Sequence, residues 1–135
     1  MLKPVAPGPA VVVCDSCRAS ADARRDADGL SGGERLLAAL RRVRASDPRY
    51  EGLALQPMSC LFACKDSCTI HLRAPGKVGY ILGRFAADEA SARAILDYAA
   101  HYAASAEGQV PYADWPEGVK GHFIARCPPE GYVAE

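Results

Sequence analysis

An α/β fold, in which helices pack on a small mixed sheet, is the class that this 135-residue sequence predicts. Three observations favour it: short β-branched runs alternate with amphipathic helical stretches, a Pro-Gly turn joins two of the runs, and no flexible linker divides the chain. A chain of this length can bury an ordinary hydrophobic core. We therefore predict one domain over residues 10–135, preceded by a proline-rich, extended lead-in over residues 1–9.

The first half of the chain is predicted to supply a strand, a loop and a helix. Residues 10–14, Ala-Val-Val-Val-Cys, are apolar and β-branched, which is typical of a short buried strand. Residues 18–30 are charged and predict a solvated loop. Ser31 and Glu34 fit the S-x-x-E capping box, so a helix is expected to begin there and to stop before Pro48.

The second half is predicted to complete the sheet and to add two helices. Alternating leucines predict a second strand over residues 52–56, and residues 69–82 have the pattern of a β-hairpin. Apolar residues at helical spacing predict a long helix over residues 87–107. Asp114 is expected to cap a short final helix over residues 115–125.

The charge balance limits the classes of function. The sequence has 16 basic and 16 acidic residues, which argues against general affinity for nucleic acid or for an anionic membrane surface. No apolar run is long enough to span a bilayer, and residues 1–9 lack the apolar core of a signal peptide. We therefore expect a cytoplasmic protein. In a reducing cytoplasm, clustered cysteines bind metals or do redox chemistry more often than they form disulfides.

Five of the six cysteines fall in two short clusters. Cys14 and Cys17 follow the first predicted strand, and Cys60, Cys64 and Cys68 recur at every fourth residue after the second. Because these two strands would be neighbours in such a sheet, the clusters are expected to meet at one of its edges. Several soft thiolates that converge from separate segments are the ligands that a metal ion or an iron–sulfur cluster requires.

Two kinds of metal site fit this spacing. A 2Fe–2S cluster needs four thiolates, which the pairs Cys14/Cys17 and Cys60/Cys64 would supply, and Cys68 is close enough in sequence to approach the same site. Tetrahedral zinc accepts four cysteines just as readily and commonly uses the C-x-x-C spacing. The C-x-x-x-C spacing of the second pair is less usual for zinc, which favours the iron–sulfur interpretation slightly.

Two further interpretations do not involve a metal. A dithiol oxidoreductase gains its reactive thiolate when the C-x-x-C motif opens a helix. The residues after Cys17 show no apolar helical stripe, although Arg18 could stabilise a neighbouring thiolate. Packing as a small buried hydrophobe is the better interpretation for Cys127, which stands alone before two prolines.

The segment Ser59-Cys60-Leu61-Phe62-Ala63-Cys64, followed by a hairpin and an amphipathic helix, resembles the second half of the thioredoxin-like 2Fe–2S ferredoxins. In that family a C-L-x-x-C segment supplies two ligands, and a cysteine pair after the first strand supplies the others. Cys14 matches the first of that pair. Cys17 departs from the pattern, because the family's second cysteine usually lies further along the chain, and Cys68 stands where the family tends to have Gly-Pro.

Nearly the whole chain, from residue 11 to about residue 129, is also similar to a family of small bacterial proteins described as predicted metal-binding proteins. The C-x-S-C pair, the C-L-x-x-C-K-x-x-C-T run, the Ala-Pro-Gly-Lys turn at residues 74–77 and the strand around Tyr80 carry this likeness. Some members of the family are encoded near cobalamin-biosynthesis genes. The resemblance therefore implies a metal site and suggests a link to cobalamin metabolism.

Together, these resemblances imply a thioredoxin-like domain that holds a 2Fe–2S cluster and acts as a one-electron carrier or redox accessory rather than as a stand-alone enzyme. Its partner would be a redox protein. A homodimer is also compatible with the sequence. A zinc-binding structural or metal-handling module is the alternative, and a thiol–disulfide oxidoreductase is the second alternative. The predicted cluster ligands are Cys14, Cys17, Cys60 and Cys64, and the predicted metal-binding set adds Cys68.

Overall fold

The computed structural model describes residues 1–20 and 22–135. Within this part of the chain, five strands and two α-helices follow one another in the order strand, helix, three strands, helix, strand. These elements are β1 (Ala10–Cys14), α1 (Gly32–Ser46), β2 (Ala54–Met58), β3 (Ile70–Arg73), β4 (Gly79–Leu82), α2 (Glu89–Ala104) and β5 (Phe123–Cys127). The predicted class, α/β with a small mixed sheet, is confirmed.

The strands form one sheet in the order β2-β1-β3-β4-β5. Strands β1 and β2 are parallel, as expected for two strands joined through a helix, and the remaining neighbours are antiparallel. The register pairs Val13 with Ile70 and Ile70 with Leu82. The end of the sheet where β1 finishes is therefore also the end where β3 begins and β4 finishes.

Local sequence signals explain the bounds of several elements. Strand β1 covers the predicted residues, and all five are buried. Helix α1 begins with the predicted capping box: the Ser31 hydroxyl accepts from the Glu34 amide at 3.0 Å, and the Glu34 carboxylate accepts from the Ser31 amide at 2.9 Å. Strand β2 begins at Ala54, two residues later than predicted. The predicted hairpin is present as β3 and β4.

The core lies between the sheet and the two helices. Helices α1 and α2 pack against each other, and their apolar side chains share one cluster with side chains of β1, β3 and β4. The largest fully buried side chains of this core include Tyr50, Tyr98, Tyr102, Leu36 and Leu96. Residues 1–7 are exposed and contain no regular structure. Neither helix in residues 1–20 and 22–135 is long and apolar enough to cross a membrane.

The predicted final helix is wrong. Two short 3₁₀ turns, Tyr112–Asp114 and Glu117–Val119, are followed by β5, which pairs antiparallel with β4. A strand edge presents a row of unpaired N–H and C=O groups. Pairing with the edge of β4 satisfies these groups, and that tertiary gain outweighs the weak helical pattern of the tail.

Candidate metal centre

The first cysteine pair lies at the end of β1. Cys14 is the last residue of that strand and Cys17 lies in the turn beyond it; their side chains are 1% and 2% exposed. The backbone amide of Cys14 donates to the Thr69 carbonyl at 3.2 Å, and the Cys17 Sγ lies 3.5 Å from the Thr69 Oγ1. The segment that leads into β3 therefore holds both cysteines in place.

The second pair lies in the loop after β2, beside the first. The Sγ atoms of Cys60 and Cys64 are 3.7 Å apart, and the Phe62 amide donates to the Cys60 Sγ at 3.3 Å. Cys60 is half-buried and Cys64 is exposed. Phe62, between them, has φ of 59° and is 95% exposed. This loop therefore presents two adjacent thiols and one aromatic side chain at the surface.

Hydrogen bonds tie the two cysteine loops together. The Asp15 amide donates to the Met58 carbonyl at 2.9 Å, and the Ser16 hydroxyl donates to the Ser59 carbonyl. Both contacts continue the parallel pairing of β1 with β2, in which Cys14 lies opposite Met58. The sheet register thus brings clusters that are far apart in sequence to one edge, as the sequence predicted.

Cys68 lies on the buried side of the same region. It is 4% exposed and precedes β3, where its backbone exchanges two hydrogen bonds of 3.3 Å with the backbone of Phe85. Its thiol interacts with that of Cys17, which in turn interacts with that of Cys14. Since Cys14 and Cys17 both contact Thr69, the residue after Cys68, three buried cysteines lie together beside the more exposed pair Cys60 and Cys64.

Contact between the thiols shifts their acidity. A hydrogen bond with Cys17, together with burial, raises the pKa of Cys14 to about 12, while the Leu61 backbone amide acts in the opposite direction. A hydrogen bond from Cys17 lowers the pKa of Cys68. Contact with Cys60 raises the pKa of Cys64, and charge repulsion from Cys14 and Cys17 adds to this effect. The five thiols are therefore close enough to influence one another electrostatically.

The first turn of α1 packs directly on the Cys14–Arg18 backbone, which the sequence analysis missed. A Cβ atom on Gly33 would lie 1.8 Å from the Cys14 carbonyl oxygen, and one on Gly32 would lie 2.2 Å from the Arg18 carbonyl oxygen. The Gly33 amide donates to the Cys17 carbonyl at 3.2 Å. The only signal for this contact was the Gly-Gly pair at the start of the predicted helix, because only glycine permits such an approach.

The sixth cysteine lies elsewhere. Cys127 is the last residue of β5 and pairs with Gly79, the first residue of β4. This is the opposite end of the sheet from Cys14. Of the histidines, His122 donates its Nδ1–H to the Gly83 carbonyl at 2.8 Å and stacks on Phe85. The position of His122 is therefore explained by packing and by this hydrogen bond.

The donor set fits a metal–sulfur group by its chemistry. Five thiols lie at one edge of the sheet, and soft thiolates select zinc or iron–sulfur clusters over hard cations. Amide donors beside the thiols, such as the contact from Phe62 to Cys60, are the kind of interaction that tunes a metal–thiolate site. As the side chains stand, no three His, Cys, Asp or Glu side chains within residues 1–20 and 22–135 are grouped so as to hold one metal ion.

The five-stranded mixed sheet with its two packed helices is a thioredoxin-like α/β fold. The solved structure of a thioredoxin-like [2Fe-2S] ferredoxin from Aquifex aeolicus is similar, with a TM-score of 0.54 and 17% sequence identity over 95% of this chain and 100% of that chain. At this identity the likeness shows the fold alone. The chain belongs to the family described as "Protein of unknown function (DUF1636)", whose model matches residues 11–129. No curated protein matches the sequence.

Proposed function

We propose that this protein binds a 2Fe–2S cluster and acts as a one-electron carrier or redox accessory. The observation that carries the proposal is the gathering of five of the six cysteines at one edge of a thioredoxin-like sheet. When bound, such a cluster supplies reversible one-electron transfer. The link to cobalamin metabolism and the cytoplasmic location stay expectations from the sequence.

The proposed ligands are Cys14, Cys17, Cys60 and Cys64. They form two close pairs on two loops that are hydrogen-bonded to each other, which suits a group that needs two thiolates for each iron. Cys68 is the alternative to Cys17, because both thiols are buried and interact with each other. Where Cys68 is the ligand, the Thr69 hydroxyl, which lies 3.5 Å from the Cys17 Sγ, would hold the Cys17 side chain in place.

The surroundings of these residues suit electron transfer. Burial of Cys14 and Cys17 excludes water from one side of the site, and the Phe62 amide is placed to donate to the Cys60 sulfur. Hydrogen bonds to sulfur and solvent exposure are the main protein influences on the reduction potential of an iron–sulfur site. The exposed Phe62 ring offers an apolar contact for a redox partner protein next to two proposed ligands.

Zinc is the alternative occupant, because a buried C-x-x-C pair with a second cysteine pair beside it can also supply a tetrahedral site. A thiol–disulfide oxidoreductase is disfavoured by burial. Disulfide exchange needs an attacking thiolate that a partner disulfide can reach. Cys14 and Cys17 are 1% and 2% exposed, so neither thiol of the C-x-x-C motif is accessible in this fold.

Anaerobic purification followed by a visible spectrum and iron, sulfide and zinc assays tests the proposal. We expect a coloured protein with two irons and two inorganic sulfides for each chain, and a paramagnetic signal after mild chemical reduction. Thiol labelling of this protein should be slow, because metal-bound cysteines are occupied. A colourless protein that carries zinc would establish the alternative instead. Rapid labelling together with turnover of a disulfide substrate would support the oxidoreductase.

Single cysteine-to-serine variants test the ligand set. Serine coordinates iron more weakly than cysteine, so each change at Cys14, Cys17, Cys60 or Cys64 should shift or abolish the visible absorption. Cys127→Ser is the matched control and should keep the full iron content, since it lies at the opposite end of the sheet. An unchanged spectrum in Cys17→Ser, with loss in the corresponding Cys68 variant, would transfer the ligand role to Cys68.

A further inference from the structure

A cavity of about 510 Å³ opens beside the cysteine edge. The loop after β1, the first residue of α1, the segment before β3 and the segment after β4 surround it. Cys64 and Cys68 contribute to its wall, whereas Cys14, Cys17 and Cys60 do not. Its volume is within the range of about 300–1,000 Å³ that is typical of small-molecule sites. The cavity is therefore large enough to hold an organic molecule next to the thiols.

The charged residues that line this cavity are all basic. Among the described residues that line it, Arg18 and Lys65 are basic and none is acidic. In the described part of the chain, neither side chain takes part in an ion pair. The acidic neighbour Asp66 is instead paired with Arg84 at 3.2 Å. Two basic residues in the wall of one cavity, neither with an ion-pair partner in the described part of the chain, attract an anion.

Two further features of the wall define the kind of anion. Gly32 is the first residue of α1, so its amide is one of those that a helix leaves without an intrahelical acceptor, at the positive end of the helix dipole. Phe85 and Ala87 supply an apolar side, and Phe85 is held in place by stacking on His122 at 4.4 Å between ring centroids. A cavity wall with both a polar and an apolar side suits an organic anion better than an inorganic one, because the carbon part of the molecule can lie against the apolar side.

We propose that this cavity binds a small organic anion, whose phosphate or carboxylate group is held by Arg18, Lys65 and the Gly32 end of α1. The planar guanidinium of Arg18 matches the paired oxygens of either group, and the ammonium of Lys65 adds a second charge. The carbon part of the molecule lies against Phe85. Neither cation is a proposed cluster ligand, whereas Cys64 in the same wall is one, so the anionic group is placed on Arg18, Lys65 and Gly32 and not on the thiols.

Isothermal titration calorimetry with the anaerobically purified full chain tests this proposal. The probes are AMP, which has a phosphate and an apolar ring, phthalate, which has two carboxylates on a ring, and adenosine as the uncharged match to AMP. We expect saturable binding of at least one anion, weakened by added salt, and none of adenosine. Tighter binding of AMP would assign the site to phosphates, and tighter binding of phthalate would assign it to carboxylates.

Charge variants locate the site. Arg18→Gln and Lys65→Gln should each weaken binding about tenfold, which corresponds to about 1.4 kcal/mol, whereas Lys65→Arg should retain it. Arg24→Gln is the matched control, because it removes the same charge from the same loop but does not line the cavity. The metal content and the visible spectrum of each variant should stay unchanged, which separates anion binding from the proposed cluster.

A variant that preserves charge covers the case in which Arg18→Gln does not fold. Ala19 is exposed at the cavity wall, so Ala19→Leu should narrow the cavity and weaken the binding of AMP or phthalate. Absence of saturable binding for both anions would overturn the proposal. Equal weakening by Arg18→Gln and Arg24→Gln would also overturn it, since the effect would then come from overall charge alone. Unchanged binding in Ala19→Leu would contradict the position of the site.

Discussion

Replacing Gly33 by alanine tests how closely the first turn of α1 approaches the cysteine loop. A Cβ atom there would lie 1.8 Å from the Cys14 carbonyl oxygen and 2.7 Å from the Asp15 Cα. Real Cβ contacts stay above 3.0 Å. The helix or the loop would therefore have to move by about 1.2 Å to remove the repulsion.

Two opposing effects determine how Gly33→Ala changes the free energy of unfolding. Forcing an extra carbon into a packed region costs about 1–3 kcal/mol, and alanine gains up to about 1 kcal/mol over glycine within a helix. Because Gly33 contacts backbone atoms, which cannot rotate away as a flexible side chain can, the repulsion should exceed the gain. We expect a net loss of about 1–2 kcal/mol, or roughly 4–8 °C in Tm.

Chemical and thermal denaturation of the full chain measure this loss. Gly52→Ala is the matched control, because nothing lies within 4 Å of the Cβ position of Gly52; its stability should stay the same or rise slightly. Gly33→Ala should also alter the visible spectrum or the metal content, since moving the helix or the loop would strain the hydrogen bond from the residue 33 amide to the Cys17 carbonyl, which is 3.2 Å long in the native protein. A Gly33→Ala protein as stable as Gly52→Ala would refute the close approach of helix and loop.

The remaining predictions concern the helix cap and the exposed thiol pair. Ser31→Ala and Asp88→Ala each remove a helix N-cap and should each cost about 0.5–2 kcal/mol in denaturant titrations. Only Ser31→Ala should also change the metal site, because the Ser31 hydroxyl donates to the Asp15 carbonyl; equal effects of both variants on metal content would contradict this. In metal-free protein, hydrogen peroxide should first join Cys60 and Cys64, whose Sγ atoms are 3.7 Å apart and accessible. Peptide mapping checks this order, and a disulfide formed first at the buried C-x-x-C pair would disprove it.

Local signals in the sequence were sufficient to predict most elements of the fold. The β-branched run of β1, the capping box of α1 and the Pro-Gly turn of the hairpin each act over a few neighbouring residues, and the structure confirms all three. The tail is the exception. Residues 123–127 have mixed preferences, since Phe123 and Ile124 favour strands and Ala125 and Arg126 favour helices. The free edge of β4, which lies about forty residues earlier in the chain, therefore decides that they form a strand.

The sequence alone determined which residue types form the candidate site and that two clusters would meet, because the ends of neighbouring strands share a sheet edge. Only the tertiary structure decided the arrangement within the site: which thiols are buried, that Cys68 contacts Cys17, and that Gly32 and Gly33 bring a helix end onto the loop. The same packing forms the cavity between Arg18 and Lys65. These features depend on side-chain and backbone contacts between segments distant in sequence, which spacing and composition do not encode.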